Sequence, residues 1–290
     1  MSVYSEPCGT EREGLSMRTQ VLHLKEYYPF LGEDGADATL TTYLPFNMPE
    51  MNRQNQKRPG VVICPGGGYS FCSERESEAV ALRLLSAGLN AFVLNYPTAP
   101  HRFPAQLLAV AAAFEFIDKN AQEWNCDTQK LLIMGFSAGG HLAAHYSNAY
   151  NWPEVRAVFP KSRRPAGSIL CYPVISAESD IAHMGSFANL LGCEPDEAQK
   201  KRFSCEKLVS EDTPPAFLWH TAEDTAVPVE NSLVYARALS EHKIPFELHV
   251  YPHGYHGLST ADSETCDNLP ANVARVSDWM TQLQKWIKMV

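Results

Sequence analysis

Short apolar runs recur along this chain at intervals filled by segments of helical period. The runs at 61–64, 91–96, 131–136, 168–172, 216–220 and 246–251 have strand length and are rich in β-branched and aromatic residues. Two further strands are expected at 21–24 and 39–44, the second from its β-branched alternation. Between the runs, 74–87, 104–124, 138–149, 229–242 and 271–289 read as helices. The segment 104–124 opens on Pro104 and repeats Leu107, Leu108, Ala111, Phe114 and Ile117 on one face. The closing helix carries a stripe at Val273, Val276, Met280, Leu283 and Ile287, and Gly88 caps 74–87.

Strands alternating with helices predict an α/β protein with a mainly parallel central sheet of about eight strands and helices on both faces. Residues 1–20 are polar and aperiodic, an N-terminal arm, and 21–290 read as one domain with no internal repeat. The rhythm breaks at 173–215, where only 187–191 hints at a helix. An insertion of that length in a regular fold is expected to serve as a lid or pocket wall.

Composition narrows the classes of function. The 290 residues are 45% hydrophobic and 20% charged, ordinary for a globular enzyme, and the net charge of −9 argues against a nucleic-acid partner. The basic cluster at 161–164 is short and reads as a solvated loop. Eight cysteines are scattered with no C-x-x-C pair, so neither a disulfide scaffold nor a metal site is expected, and no cofactor. No signal-like leader or membrane-length apolar run is present, so the expected partner is a small molecule rather than a membrane, in the cytoplasm. Composition admits a homo-oligomer without specifying one.

The chemistry begins at Gly135-Phe136-Ser137-Ala138-Gly139, directly after one strand-like run and before a helix. Such a pentapeptide arises by chance in roughly one chain in ten of this length, so its setting decides. A serine held on a sharp strand-to-helix turn is exposed to a base and faces the helix N-terminus. In parallel sheets reactive groups collect at strand carboxyl ends. The run at 216–220 is followed by Glu223 and Asp224, and the run at 246–251 by His253 and His256. The order serine, acid, histidine fits Ser137 as nucleophile, Asp224 as orienting acid and His256 as base. Glu223 and His253 are the rival acid and base; His220, His249 and His183 read as structural or surface histidines, and His141, one turn after Ser137, as a packing residue with pocket contact as the alternative. Pro65-Gly66-Gly67-Gly68-Tyr69 follows the run at 61–64, and it lacks the Lys-Ser or Lys-Thr of a phosphate loop. Gly67 and Gly68, with the Ala138 N–H, are the expected oxyanion donors. Tyr69, Phe71, Trp219 and Tyr255 flank these loops as candidates for a substrate pocket, with the core as the alternative for each.

These stretches, together with 219–224 and 251–258, resemble the α/β-hydrolase superfamily, and within it acetyl esterases and acetylxylan-esterase-like bacterial hydrolases. The resemblance runs from residue 58 onward. It implies the α/β-hydrolase fold, hydrolysis of short acyl esters, often acetyl groups on sugars, and Ser137, Asp224 and His256 as the triad. The chain departs from the hormone-sensitive-lipase-like branch, since Pro65 stands where that branch has histidine before the glycines. An aminopeptidase-like or formamidase-like amide hydrolase on the same fold is the alternative. A non-catalytic binding protein is the reading outside enzymes.

Overall fold

The structure, a computed structural model, describes residues 17–32, 36–178 and 180–290. Its elements in chain order are β1 (Arg18–His23), β2 (Thr39–Leu44), β3 (Arg58–Cys64), α1 (Glu78–Ser86), β4 (Asn90–Asn95), α2 (Ala105–Asn120), β5 (Cys126–Phe136) and α3 (Ser137–Ala149). There follow α4 (Pro153–Arg156), β6 (Ser168–Cys171), α5 (Met184–Leu191), α6 (Glu197–Phe203), β7 (Ala216–Thr221), α7 (Glu230–Glu241), β8 (Phe246–Tyr251) and α8 (Asp278–Trp286). The eight strands form one sheet in the order β1-β2-β4-β3-β5-β6-β7-β8. β1 and β2 enter antiparallel, and every pairing from β4 to β8 is parallel. This is the α/β-hydrolase fold expected from the sequence.

The alternation of side chains along the central strands divides the core in two. On β3, Val62 faces a layer with Val110 of α2, Leu142 of α3 and Leu239 of α7. Its neighbours Val61 and Ile63 face the opposite layer, with Val80 and Leu84 of α1 and Trp279 and Leu283 of α8. A strand covered on both faces can be apolar at every position, which is why these runs read as continuous rather than alternating. Within the second layer Trp219 of β7 stacks on Trp279, centroids 5.0 Å apart and planes at 24°. The Trp279 indole N–H donates to Ser259 O at 3.0 Å.

Where boundaries differ from expectation, a local cause is visible. The segment 74–87 is not one helix: a 3₁₀ turn at Glu74–Glu76 breaks at Ser77 before α1 begins. The closing helix likewise starts with a 3₁₀ turn at Ala274–Ser277. β1 begins at Arg18 because an exposed edge strand has no apolar signal to announce it; the rest of the N-terminal arm, 1–16, lies outside the described residues. The segment 173–215 holds α5 and, unforeseen, α6. The latter has a capping box, Asp196 accepting from Gln199 N and Gln199 from Asp196 N, a D-x-x-Q signal legible in the sequence. Among the described residues no helix is long and apolar enough to cross a membrane.

The paired indoles tie the last helix to the sheet. Replacing Trp279 by alanine empties a fully buried site, and we expect a loss of about 3–5 kcal/mol in unfolding free energy. Urea denaturation measures this, and a loss below about 1 kcal/mol would contradict tight packing of α8 on the sheet.

Candidate active site

β5 delivers Ser137 at its buried carboxyl end, and the chain reverses there with Ser137 at φ +53°. Non-glycine residues seldom adopt that region, so the strain is held by the surrounding packing. The flanking glycines leave no choice. A Cβ on Gly135 would lie 2.0 Å from Gly139 O, and one on Gly139 would lie 2.1 Å from Cys64 O. Ser137 is the first residue of α3, so its neighbour Ala138 lies in the turn whose N–H groups have no acceptor within the helix.

The ends of β7 and β8 bring the acid and the base to this serine. His256 Nε2 lies 2.8 Å from Ser137 Oγ, and His256 Nδ1 lies 2.6 Å from Asp224 Oδ2. A carboxylate only accepts, so Nδ1 carries the proton and Nε2 is free to accept from the serine hydroxyl. Asp224 Oδ1 accepts the N–H groups of Ala226 and Val227 at 3.0 and 2.9 Å. Burial raises the Asp224 pKa, but hydrogen bonds from His220 and His256, the His256 charge and the Val227 N–H outweigh it and hold the carboxyl well below its usual range. The rivals pair with each other at the surface instead: His253 Nδ1 meets Glu223 Oε1 at 2.8 Å. His220 is buried and structural, its Nε2 donating to Val227 O at 2.9 Å and its Nδ1 accepting from Ser232 Oγ at 2.8 Å.

Ser137 and His256 open into a cavity of about 320 Å³ whose wall includes Gly67, Gly68, Phe71, Glu76, His183 and Asn189. Gly67 sits at φ +123°, and a Cβ there would lie 2.1 Å from Phe71 O, so the loop bends where a side chain has no room. Gly66 is not a spare donor, because its N–H is given to Glu76 Oε2 at 2.7 Å. Phe71, 59% exposed, stands at the cavity rim as a pocket residue.

The other pocket candidates are placed differently. Tyr69 is 1% exposed and its O–H reaches His141 Nδ1 at 2.8 Å, so it belongs to the core. Trp219 is likewise core, turned to the α8 layer by the alternation of β7. Tyr255 is exposed and does not line the cavity. Each flanks a motif in sequence, but strand alternation and the loop's path send the side chains elsewhere.

Several wall residues escaped the sequence reading. His183 and Asn189, from 173–215, face the cavity; Asn189 Nδ2 donates to Gly68 O at 2.8 Å. His183 Nδ1 lies 2.8 Å from Ser186 Oγ, and burial, then the nearby His256, lowers its pKa. Glu76 is buried beside the reacting groups, yet it is one of three glutamates within 74–78, and nothing in their spacing singles it out. Among the described residues no group of three or more His, Cys, Asp or Glu side chains is arranged to hold a metal.

His141 braces the site from behind. Because Phe203 O can only accept, the His141 Nε2–H donates to it at 2.8 Å and Nδ1 accepts the Tyr69 O–H. One imidazole thus joins the glycine loop, α3 and α6. Burial pushes its pKa down to about 4. Its neighbour His145, ring centroid 5.5 Å away, is held well below the usual histidine range by burial and then by His141 and Arg202.

Residues 44–165 match the BD-FAE family model, and residues 179–285 match that of the prolyl oligopeptidase family. The chain is 42% identical over 233 residues to endo-1,4-beta-xylanase B of Butyrivibrio fibrisolvens, covering 77% of this chain and 36% of that protein. It is 33% identical over 251 residues to an acetylxylan esterase of Xylanibacter ruminicola, covering 84% of this chain and 48% of that one. The chain therefore spans less than half the length of either relative. Among solved structures, the acetyl ester-xyloside bifunctional hydrolase of Caldicellulosiruptor lactoaceticus superposes with a TM-score of 0.81 at 37% identity, covering 96% of this chain and 98% of that one.

The buried neutral histidine makes stability depend on pH. The folded His141 pKa lies below the unfolded value, so the unfolded chain binds more protons between them and stability falls as pH drops from about 6.5 to about 4. The contribution of His141 to that fall approaches about 3 kcal/mol. His141→Gln is expected to show a smaller drop in thermal midpoint between pH 7 and pH 4.5 than the wild type. Parallel pH profiles for the two proteins would contradict the assignment.

Proposed function

Because this chain belongs to the α/β-hydrolase superfamily, among its acetyl esterases, we propose that it is a serine carboxylesterase that removes short acyl groups, acetyl above all, from a carbohydrate or similar small substrate. One observation carries the reading: the unbroken relay from Ser137 Oγ through His256 to Asp224, at 2.8 and 2.6 Å. Ser137 Oγ attacks the acyl carbon while His256 Nε2 takes its proton. Asp224, kept ionised, holds the imidazole tautomer and stabilises the cation formed. The N–H groups of Gly67, Gly68 and Ala138 receive the oxyanion. His256 then protonates the leaving alcohol, and an attacking water retraces the path to release the acid. No cofactor enters these steps.

The carbohydrate in this proposal is supported by the acetylxylan esterase of Xylanibacter ruminicola and the acetyl ester-xyloside hydrolase of Caldicellulosiruptor lactoaceticus. Residues 173–215 act as a pocket wall, since His183 and Asn189 supply part of it. A cytoplasmic location belongs to the same reading: the seven cysteines among the described residues are free thiols, suited to a reducing compartment. The match of 179–285 to the prolyl oligopeptidase family favours a second reading, an amide hydrolase with the same relay.

A fluorophosphonate probe should label the wild type and leave Ser137→Ala unlabelled, with turnover on p-nitrophenyl acetate falling roughly 10⁴-fold or more. Labelling that survives the substitution would remove Ser137 from its role. Side-by-side rates on p-nitrophenyl acetate, p-nitrophenyl octanoate and an aminoacyl anilide separate the readings. The acetate should be fastest, and a dominant anilide rate would give the site to amide hydrolysis.

A further inference from the structure

The relay leaves one buried carboxyl unexplained. Glu76 is 3% exposed, lies in the cavity wall, and spends both oxygens on neutral donors. Its Oε2 accepts Gly66 N–H at 2.7 Å and its Oε1 accepts the Tyr172 O–H at 2.7 Å. The Tyr172 oxygen in turn accepts the N–H of Ser259 at 3.0 Å. Burial raises the Glu76 pKa, while the bonds from Tyr172 and Gly66 and the charge of His256 favour its ionised form. A surface carboxyl would avoid that desolvation, so the fold bears a cost to keep this one here.

What these bonds hold is the peptide that aims the Gly67 N–H. The carbonyl of that peptide, Gly66 O, accepts from Ser73 N at 3.0 Å, while Glu76 takes the N–H on the other side of Gly66. Ser73 and Glu76 belong to one turn, closed by Glu76 N donating to Ser73 O at 3.2 Å. Gly66 has no room for a side chain: a Cβ on it would lie 2.7 Å from Glu76 Oε2 and 2.9 Å from Ser137 Cβ. From its other oxygen the same carboxyl reaches the His256 segment. Tyr172 bonds Ser259, three residues beyond His256, and presents its ring to the His256 ring at a centroid distance of 5.1 Å.

We propose that Glu76 is a positioning residue, which fixes the Gly67 donor relative to Ser137 and locks that donor to the loop carrying His256 through Tyr172 and Ser259. The proposal rests on the esterase reading of Ser137. Both Glu76 oxygens are taken, by the Gly66 N–H and the Tyr172 hydroxyl, so it acts through Gly66 and Tyr172. Because an oxyanion exists only after attack, correct aim of the donor stabilises the transition state and leaves the bound ester little affected.

The test compares Glu76→Ala and Glu76→Gln with the wild type on p-nitrophenyl acetate, each rate divided by the concentration of sites titrated with a fluorophosphonate. Alanine should lower kcat by about 100-fold, with KM changed less than about threefold. Glutamine keeps an acceptor for Gly66 but opposes its amide to the Tyr172 hydroxyl, and should lose about 10-fold. Affinity for a boronic acid that mimics the tetrahedral adduct should fall in parallel with kcat/KM. A merely structural role would reduce the number of titratable sites and leave kcat per site unchanged, which would overturn the proposal. A rise in KM at constant kcat would overturn it as well. Should Glu76→Ala fail to fold, Tyr172→Phe removes one hydroxyl, and a kcat per site equal to wild type would sink the link to the His256 loop. A wild type without ester hydrolysis would remove the esterase reading itself; an active wild type with unchanged variants removes only the role of Glu76.

Discussion

The site depends on a contact between two backbones. At the centre of the sheet β3 and β5 run side by side, with Cys64 level with Gly135. Beyond their ends, α3 comes so close to the glycine loop that a Cβ on Gly139 would meet Cys64 O at 2.1 Å and Pro65 O at 2.3 Å. No side chain fits between them. Ser137 and the glycine loop therefore share one origin, fixed by the spacing of adjacent strands.

Around that contact, polar groups are buried deliberately and in pairs. Glu76 takes the glycine loop at Gly66 from one side; His141 takes it at Tyr69 from the other and carries the connection to Phe203. Asp224 follows the same logic at the third strand end, accepting hydrogen bonds from two backbone N–H groups and from His256 Nδ1–H. A buried polar group that finds its partners specifies one arrangement, because any other would leave it unsatisfied. The positive φ of Ser137 is tolerated for the same reason: the surroundings hold it from every side.

The segment 173–215 completes the pocket without contributing to the relay. His183, just before α5, lies at the edge of the cavity, α5 supplies Asn189, which holds Gly68 O, and α6 ends on the carbonyl that fixes His141. The cavity wall thus combines residues of the segment that departs from the regular fold with residues of the glycine loop and the turn after it.

Along the chain, the local and periodic features were legible: eight strands, their alternation with helices, the serine turn, the glycine loop, and an acid and a base after later strands. Each follows from rules a few residues long, such as the period of a buried strand or the room a tight turn requires. The choice of Asp224 over Glu223 and of His256 over His253 depended on which pair reaches Ser137, and the structure brings Glu223 and His253 together at the surface instead. Tyr69 and Trp219 flank the motifs yet face the core, because adjacency along a strand says nothing of which layer a side chain joins until the sheet is assembled. Glu76 had no sequence signal at all. Its position is set by Gly66, Tyr172 and Ser259, which lie 10, 96 and 183 residues away in sequence. Sequence by itself determined the chemistry on offer, since that needs only residue types at strand ends; tertiary structure alone decided which groups meet, since burial and hydrogen-bond partnership are properties of the assembled sheet and not of any segment.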